Sequence, residues 1–151
     1  MTEDVGGYLD WLGVKYLTLQ DADSTGGSLS VTRSLSPAGS GPPRHIHHAE
    51  DESFYILDGR CDFWLKGEVF HRCAGETMFI PRGTEHTFRI PDGAPCDHLV
   101  IMTPGGFEGF FAEMAKGQFR IPDDMGQIAA IAVRFNLSFT GPPLSAEDVQ
   151  R

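Results

Sequence analysis

Cysteine is scarce in this chain of 151 residues, and the three present, Cys61, Cys73 and Cys96, are scattered with no C-x-x-C pair. That argues against a disulfide framework and against a thiolate zinc site. It reads as a reducing, cytoplasmic setting in which the thiols serve as small buried hydrophobes. Positive charge is also short: 12 Lys and Arg stand against 21 Asp and Glu, for a net charge of −9. An acidic surface repels phosphate backbones and anionic lipid, so nucleic acid and membranes are disfavoured as partners. No apolar run approaches the ~20 residues of a membrane span. The start, Met1 to Asp10, is acidic and lacks a basic n-region, so no signal peptide is expected. No internal repeat stands out.

What is present is an ordinary globular composition, 40% hydrophobic and 22% charged, in a length that suits one domain with a real core. Eighteen Gly and ten Pro punctuate the chain at short intervals, as many short strands joined by turns would require. Ser28 to Ser36 alternates, with Leu29, Val31, Arg33 and Leu35 on one face and Ser28, Ser30, Thr32 and Ser34 on the other. Strands are expected at Arg44 to His48, Glu52 to Leu57, Cys61 to Lys66, Glu68 to Cys73, Met78 to Ile80, Glu85 to Ile90 and Asp97 to Thr103. Asp58-Gly59 and Pro91-Asp92-Gly93 are turn signals among them. After Pro104 the period changes. Phe107, Phe110, Phe111 and Met114 recur at helical spacing, and Asp123 or Asp124 is placed to cap a second helix running to Phe135. The expectation is one all-β domain over residues 1–151, an antiparallel barrel or jelly roll over about 11–104 with a helical C-terminal segment over about 106–140.

Chemistry concentrates in two stretches. The first reads Gly39-x5-His45-x-His47-x4-Glu52-x6-Gly59, the second Gly75-x5-Pro81-x-Gly83-x2-His86. Side chains two apart on a strand point the same way, about 6.6 Å apart along it, so His45 and His47 can share one ion. Glu52 opens the next strand on the side of Phe54 and Ile56, and His86 arrives from a distant strand, as barrel closure would allow. Three imidazoles and one carboxylate can hold one divalent transition metal, Fe, Ni, Mn, Co, Cu or Zn, with positions left open. Asp51 could replace Glu52 under a one-residue slip, but Glu52 fits the spacing to Gly59 better. Glu50 and Asp51 otherwise read as a solvated turn. His48 should face away from the pair, and His71 and His98 read as structural. Phe54, Phe63, Met78, Phe79, Phe88 and Met102 read as mostly barrel core, with Phe54, Ile56 and Phe88 the residues expected to line the metal pocket. Arg33 is either paired across the barrel or a clamp for an anionic or phenolic substrate.

The two stretches resemble the two cupin motifs with every ligand position filled. The wording GSGPPRHIHHAEDESFYILDGR, AGETMFIPRGTEHTFRI and TPGGFEGFF resembles the small single-domain cupins grouped with bacterial quercetin dioxygenases, over about Trp11 to Pro143. One departure is Ile90, where the second motif often ends in Asn. The resemblance implies a cupin barrel, a homodimer, and a metal-dependent dioxygenase acting on a small aromatic or enol-bearing compound. In that reading His45, His47 and His86 hold the ion, while Glu52 is both ligand and general base for a substrate hydroxyl. A metal-dependent isomerase or lyase and a non-enzymatic ligand-binding cupin are the alternatives.

Overall fold

Alternating burial along the strands builds two antiparallel sheets that face each other. The computed structural model describes residues 7–150; the acidic start up to Gly6, read as lacking a leader, and Arg151 lie outside the described residues. The strands are β1 (Leu9–Trp11), β2 (Val14–Gln20), β3 (Ser30–Ser36), β4 (Pro43–His47), β5 (Asp51–Asp58), β6 (Arg60–Leu65), β7 (Glu68–Cys73), β8 (Thr77–Ile80), β9 (His86–Arg89), β10 (Cys96–Thr103) and β11 (Leu137–Pro143). One sheet runs β1-β2-β3-β10-β5-β8, the other β11-β4-β9-β6-β7. This is the jelly roll expected, with each predicted strand within about two residues of its place.

The core lies between the sheets, where Phe54, Ile56, Phe63, Ile80 and Ile90 are essentially inaccessible. Phe79 is not among them: Met78 and Ile80 point inward, so strand parity turns Phe79 outward, 56% exposed. Cys61 and Cys96 are buried as expected, whereas Cys73 is exposed. Gly59 sits in the β5–β6 turn with φ of +90°, and a Cβ there would lie 2.5 Å from the Pro95 carbonyl oxygen. Both constraints require glycine.

The face of β3 is opposite to what its apolar alternation invites. Ser30, Thr32, Ser34 and Ser36 are buried, while Val31, Arg33 and Leu35 face outward. Register explains it. Residues directly opposite on an antiparallel pair share a face, and β10 sets His98 against Ser34 and Val100 against Thr32. The inward residues of β10 therefore take the serines in with them. Small hydroxyl side chains leave open space where valine or leucine would fill it.

The C-terminal segment is helical over α1 (Glu108–Gly117) and α2 (Met125–Val133). Phe110 and Met114 of α1 and Ile128 and Ala132 of α2 are buried. Asp124 occupies the N-cap position of α2 without a side-chain cap bond; its Oδ2 instead accepts from the Arg120 backbone N–H at 2.7 Å. The expectation of a helical segment out to about residue 140 is corrected. From Leu137 the chain returns as β11 and pairs with β4, Leu137 opposite His47 and Phe139 opposite His45. The barrel thus extends beyond residue 104. Backbone pairing with β4 outweighs any helical preference in a stretch that holds Gly141, Pro142 and Pro143. No described helix is long and apolar enough to cross a membrane.

Candidate metal centre

Strand alternation brings His45 and His47 of β4 to the barrel interior, and Glu52 of β5 and His86 of β9 meet them there. One ligand atom from each of the four lies within 4.8 Å of all the others, and all four residues are buried. Backbone pairing sets His45 opposite His86, with ring centroids 4.4 Å apart. Glu52 Oε1 lies 3.0 Å from His86 Nε2 and 3.7 Å from His47 Nε2.

The donor set fits a divalent transition metal. His45 Nδ1–H donates to the Pro43 carbonyl at 2.7 Å, and His86 Nδ1–H donates to the Thr84 carbonyl at 2.8 Å. Each such bond orients its ring and fixes the tautomer that leaves Nε2 with a lone pair for an ion. Burial, then the neighbouring His86 charge, pushes the pKa of His45 down to about 3. Burial and the neighbouring imidazoles hold His47 well below its ordinary value. Both rings are thus neutral at pH 7, as ligands must be. For His86, burial opposes charge, but the Glu52 carboxylate and the Thr84 carbonyl outweigh it and move the pKa up. A carboxylate drawing positive charge onto this nitrogen marks the point where a cation is favoured. Imidazole and carboxylate together disfavour the all-oxygen sites of Ca and Mg.

The centre opens on a cavity of about 380 Å³. Its walls are mostly apolar and include the aromatic side chains of Trp11, Tyr16, Phe88, Phe107, Phe110, Phe111 and Phe139. Phe107 stands edge-on to the His47 ring, centroids 4.5 Å apart. Phe111 stacks on Tyr16 at 4.5 Å. The helical stripe therefore packs on the barrel and walls the cavity at once.

Of the residues expected to line the pocket, Phe88 does so. Phe54 and Ile56 point inward as parity requires but lie behind the cavity wall; Phe54 is engaged by Phe63 and Phe88, with centroids at 4.9 and 5.3 Å. Arg33 is corrected. It faces outward and makes a bidentate pair with Asp97, 2.9 Å from Nε and 2.6 Å from Nη2, so it has no part in the cavity. Asp51 faces Arg82 outside the site, so of the two it is Glu52 that points in. His48 is exposed against Ser138, and His71 pairs with Asp62.

Glu50 does not form a solvated turn. It is buried, with Oε1 at 3.9 Å from His47 Nδ1, and neither atom has another partner. Burial, then the charge of Glu52, raises its pKa to about 7. The signal was a carboxylate three residues after a ligand histidine; its burial depends on the surrounding barrel. His98 also lines the cavity, its Nε2 3.0 Å from Ser36 Oγ. Ile90, at the departure from the second motif, is buried and pins the adjacent loop, its N–H donating to the Ser40 carbonyl and its carbonyl accepting from Gly39 N–H.

Residues 32–102 match the family model for the cupin domain. Over those residues the chain carries a cupin domain. It is 31% identical over 88 residues to a quercetin 2,3-dioxygenase of Bacillus subtilis, covering 58% of this chain and 26% of that protein. It is 30% identical over 82 residues to an acireductone dioxygenase of Sulfurihydrogenibium, covering 51% of this chain and 46% of that one. The cupin-domain protein thus spans about a quarter to a half of these relatives. Among solved structures, KdgF from Halomonas sp. superposes with a TM-score of 0.61 at 16% identity, covering 69% of this chain and 93% of that one. At that identity the likeness establishes the fold.

Proposed function

We propose that this cupin-domain protein is a metal-dependent dioxygenase of a small aromatic or enol-bearing compound, with one divalent transition metal held by His45, His47, Glu52 and His86. One observation carries the reading: four donors converge, and three of them, His45, His47 and Glu52, line a cavity with aromatic side chains in its wall and room for a planar substrate. The partial likeness to two dioxygenases supports it. When bound, the ion supplies a Lewis-acid centre with open positions for substrate oxygen. The chain's own groups do the rest. His45 and His86 are held rigidly by their carbonyl bonds. Glu52 Oε1 faces the imidazoles, and Oε2 accepts the proton of the substrate hydroxyl. The aromatic walls hold the ring system flat and exclude water, and dioxygen is the second substrate. Pairing as a homodimer belongs to this reading; β8 is an edge strand carrying the exposed Phe79, and Tyr55 and Leu57 are exposed on the neighbouring β5.

Oxygen uptake by metal-loaded protein, screened with flavonols and other enols, tests the proposal. Uptake should depend on substrate, and Glu52→Gln should keep bound metal but lose turnover. Full activity in that variant removes the base role. Product without oxygen uptake indicates an isomerase or lyase, and binding without product a ligand-binding cupin.

A further inference from the structure

The cavity has a second polar end that the metal centre does not use. His98 is 1% exposed and lines the cavity. Its Nε2 meets Ser36 Oγ at 3.0 Å, while its Nδ1 is buried with no partner. The Ser36 hydroxyl, in the cavity wall, keeps hydrogen-bonding capacity beyond its bond to His98. Ser34, directly opposite His98, and Ser36 line the same end.

The spacing of the two ends follows from strand register. On β10, Met102 is opposite Glu52 and His98 is opposite Ile56. Four residues of strand separate the two levels by roughly 13 Å. A metal–oxygen bond at one end and a hydrogen bond at the other leave roughly 8 Å between the ligand's own polar atoms. That is the span of two linked six-membered rings, and the walls include Phe88 and Val100.

We propose that Ser36 and His98 form a distal anchor that binds a neutral hydroxyl or carbonyl at the far end of an extended planar substrate. Its other end lies among His45, His47, Glu52 and His86, so the anchor rests on the reading of the metal centre given above. Neutrality follows from the lining. Neither Lys nor Arg lines the cavity, so a carboxylate at the far end would be buried without a counter-charge. Burial pushes the pKa of His98 down to about 4, which keeps the ring neutral at pH 7. The Ser36 hydroxyl either donates to Nε2 or accepts from it, so Ser36 Oγ turns an acceptor or a donor toward the ligand through the choice of His98 tautomer. The anchor therefore accommodates a phenol or a ketone, and His98 and Ser36 act as specificity residues rather than catalytic ones.

The test is binding to the Zn(II)-loaded protein under nitrogen, with no turnover. 3-Hydroxyflavone and 3,4′-dihydroxyflavone differ only in the distal hydroxyl, and both report through their own absorption and through Trp11 fluorescence. The distal hydroxyl should tighten binding about three- to tenfold, and that advantage should vanish in Ser36→Ala and in His98→Leu. Ser36→Ala carries the test alone if His98→Leu does not fold. Equal affinity for the two compounds, or an advantage that survives Ser36→Ala, overturns the anchor and leaves the metal-centre reading standing. Binding of neither compound overturns both.

Discussion

A metal bound by the native state and not by the unfolded chain must raise the unfolding temperature, by an amount the structure allows to be worked out. At free metal about 100-fold above the dissociation constant, the linkage contribution is about 2.7 kcal/mol. A chain of 151 residues has an unfolding entropy of roughly 0.3 kcal/mol/K near its midpoint. Metal added to stripped protein should therefore raise Tm by roughly 8 °C. Ni(II) and Co(II) are suitable probes, followed by differential scanning calorimetry, with elemental mass spectrometry giving about one ion per chain. His47→Ala removes one of four converging donors and should reduce the shift to below about 2 °C at the same metal concentration. Its metal-free Tm should also fall, because the ring packs against Phe107 at 4.5 Å; the shift on adding metal is the diagnostic quantity, not the absolute Tm. His48→Ala is the matched control. That histidine is the next residue in the chain but lies exposed against Ser138, and its variant should keep the full shift. A full shift in His47→Ala, or a shift lost in His48→Ala, would refute the assignment of ligands.

Two further outcomes are expected. His98 has a folded-state pKa of about 4 against 6.5 in the unfolded chain, so between those values the unfolded state binds a proton that the folded state refuses. Stability must rise with pH across that window and be lost on acidification, by up to about 3 kcal/mol from this group; denaturant unfolding of metal-free protein at pH 4.5 and 7 should show a smaller loss in His98→Leu than in the parent, and equal losses would contradict it. The homodimer should sediment at twice the chain mass of 16.6 kDa, and Phe79→Lys on the edge strand should give monomer if that edge pairs; a monomeric parent protein would remove the dimer.

Much of the site was legible because its information is local. The x-His-x-His-x spacing puts two imidazoles on one side of a strand whatever the strand pairs with. Turn signals at Asp58-Gly59 and Pro91-Asp92-Gly93 delimit the strands correctly. Glu52 rather than Asp51 points inward, as the spacing to Gly59 indicated, because Asp51 has Arg82 to pair with on the outer face. The misreadings were non-local. Arg33 shares its face with Val31 and Leu35, and apolar companions invite an inward reading; register against β10 decides otherwise. Glu50 carries no sequence sign of burial, and His98, though it shares strand parity with Met102, reaches the cavity only through the pairing of β10 with β3.

The sequence alone determined that this chain makes short antiparallel strands, and that His45, His47, Glu52 and His86 are metal-ligating residue types at a spacing that lets them converge. Period-two alternation and the spacing of ligand types are properties of neighbouring residues, so they survive without knowledge of the fold. Tertiary structure decided which face of β3 turns inward, and with it that serines rather than valine and leucine border the cavity. It decided that residues 137–143 complete a sheet beside the strand of His45 and His47, and that the aromatics at the start of α1 wall the cavity next to the His/Glu cluster. Those outcomes follow from pairing between strands far apart in sequence, where register sets the side on which every residue of a strand falls.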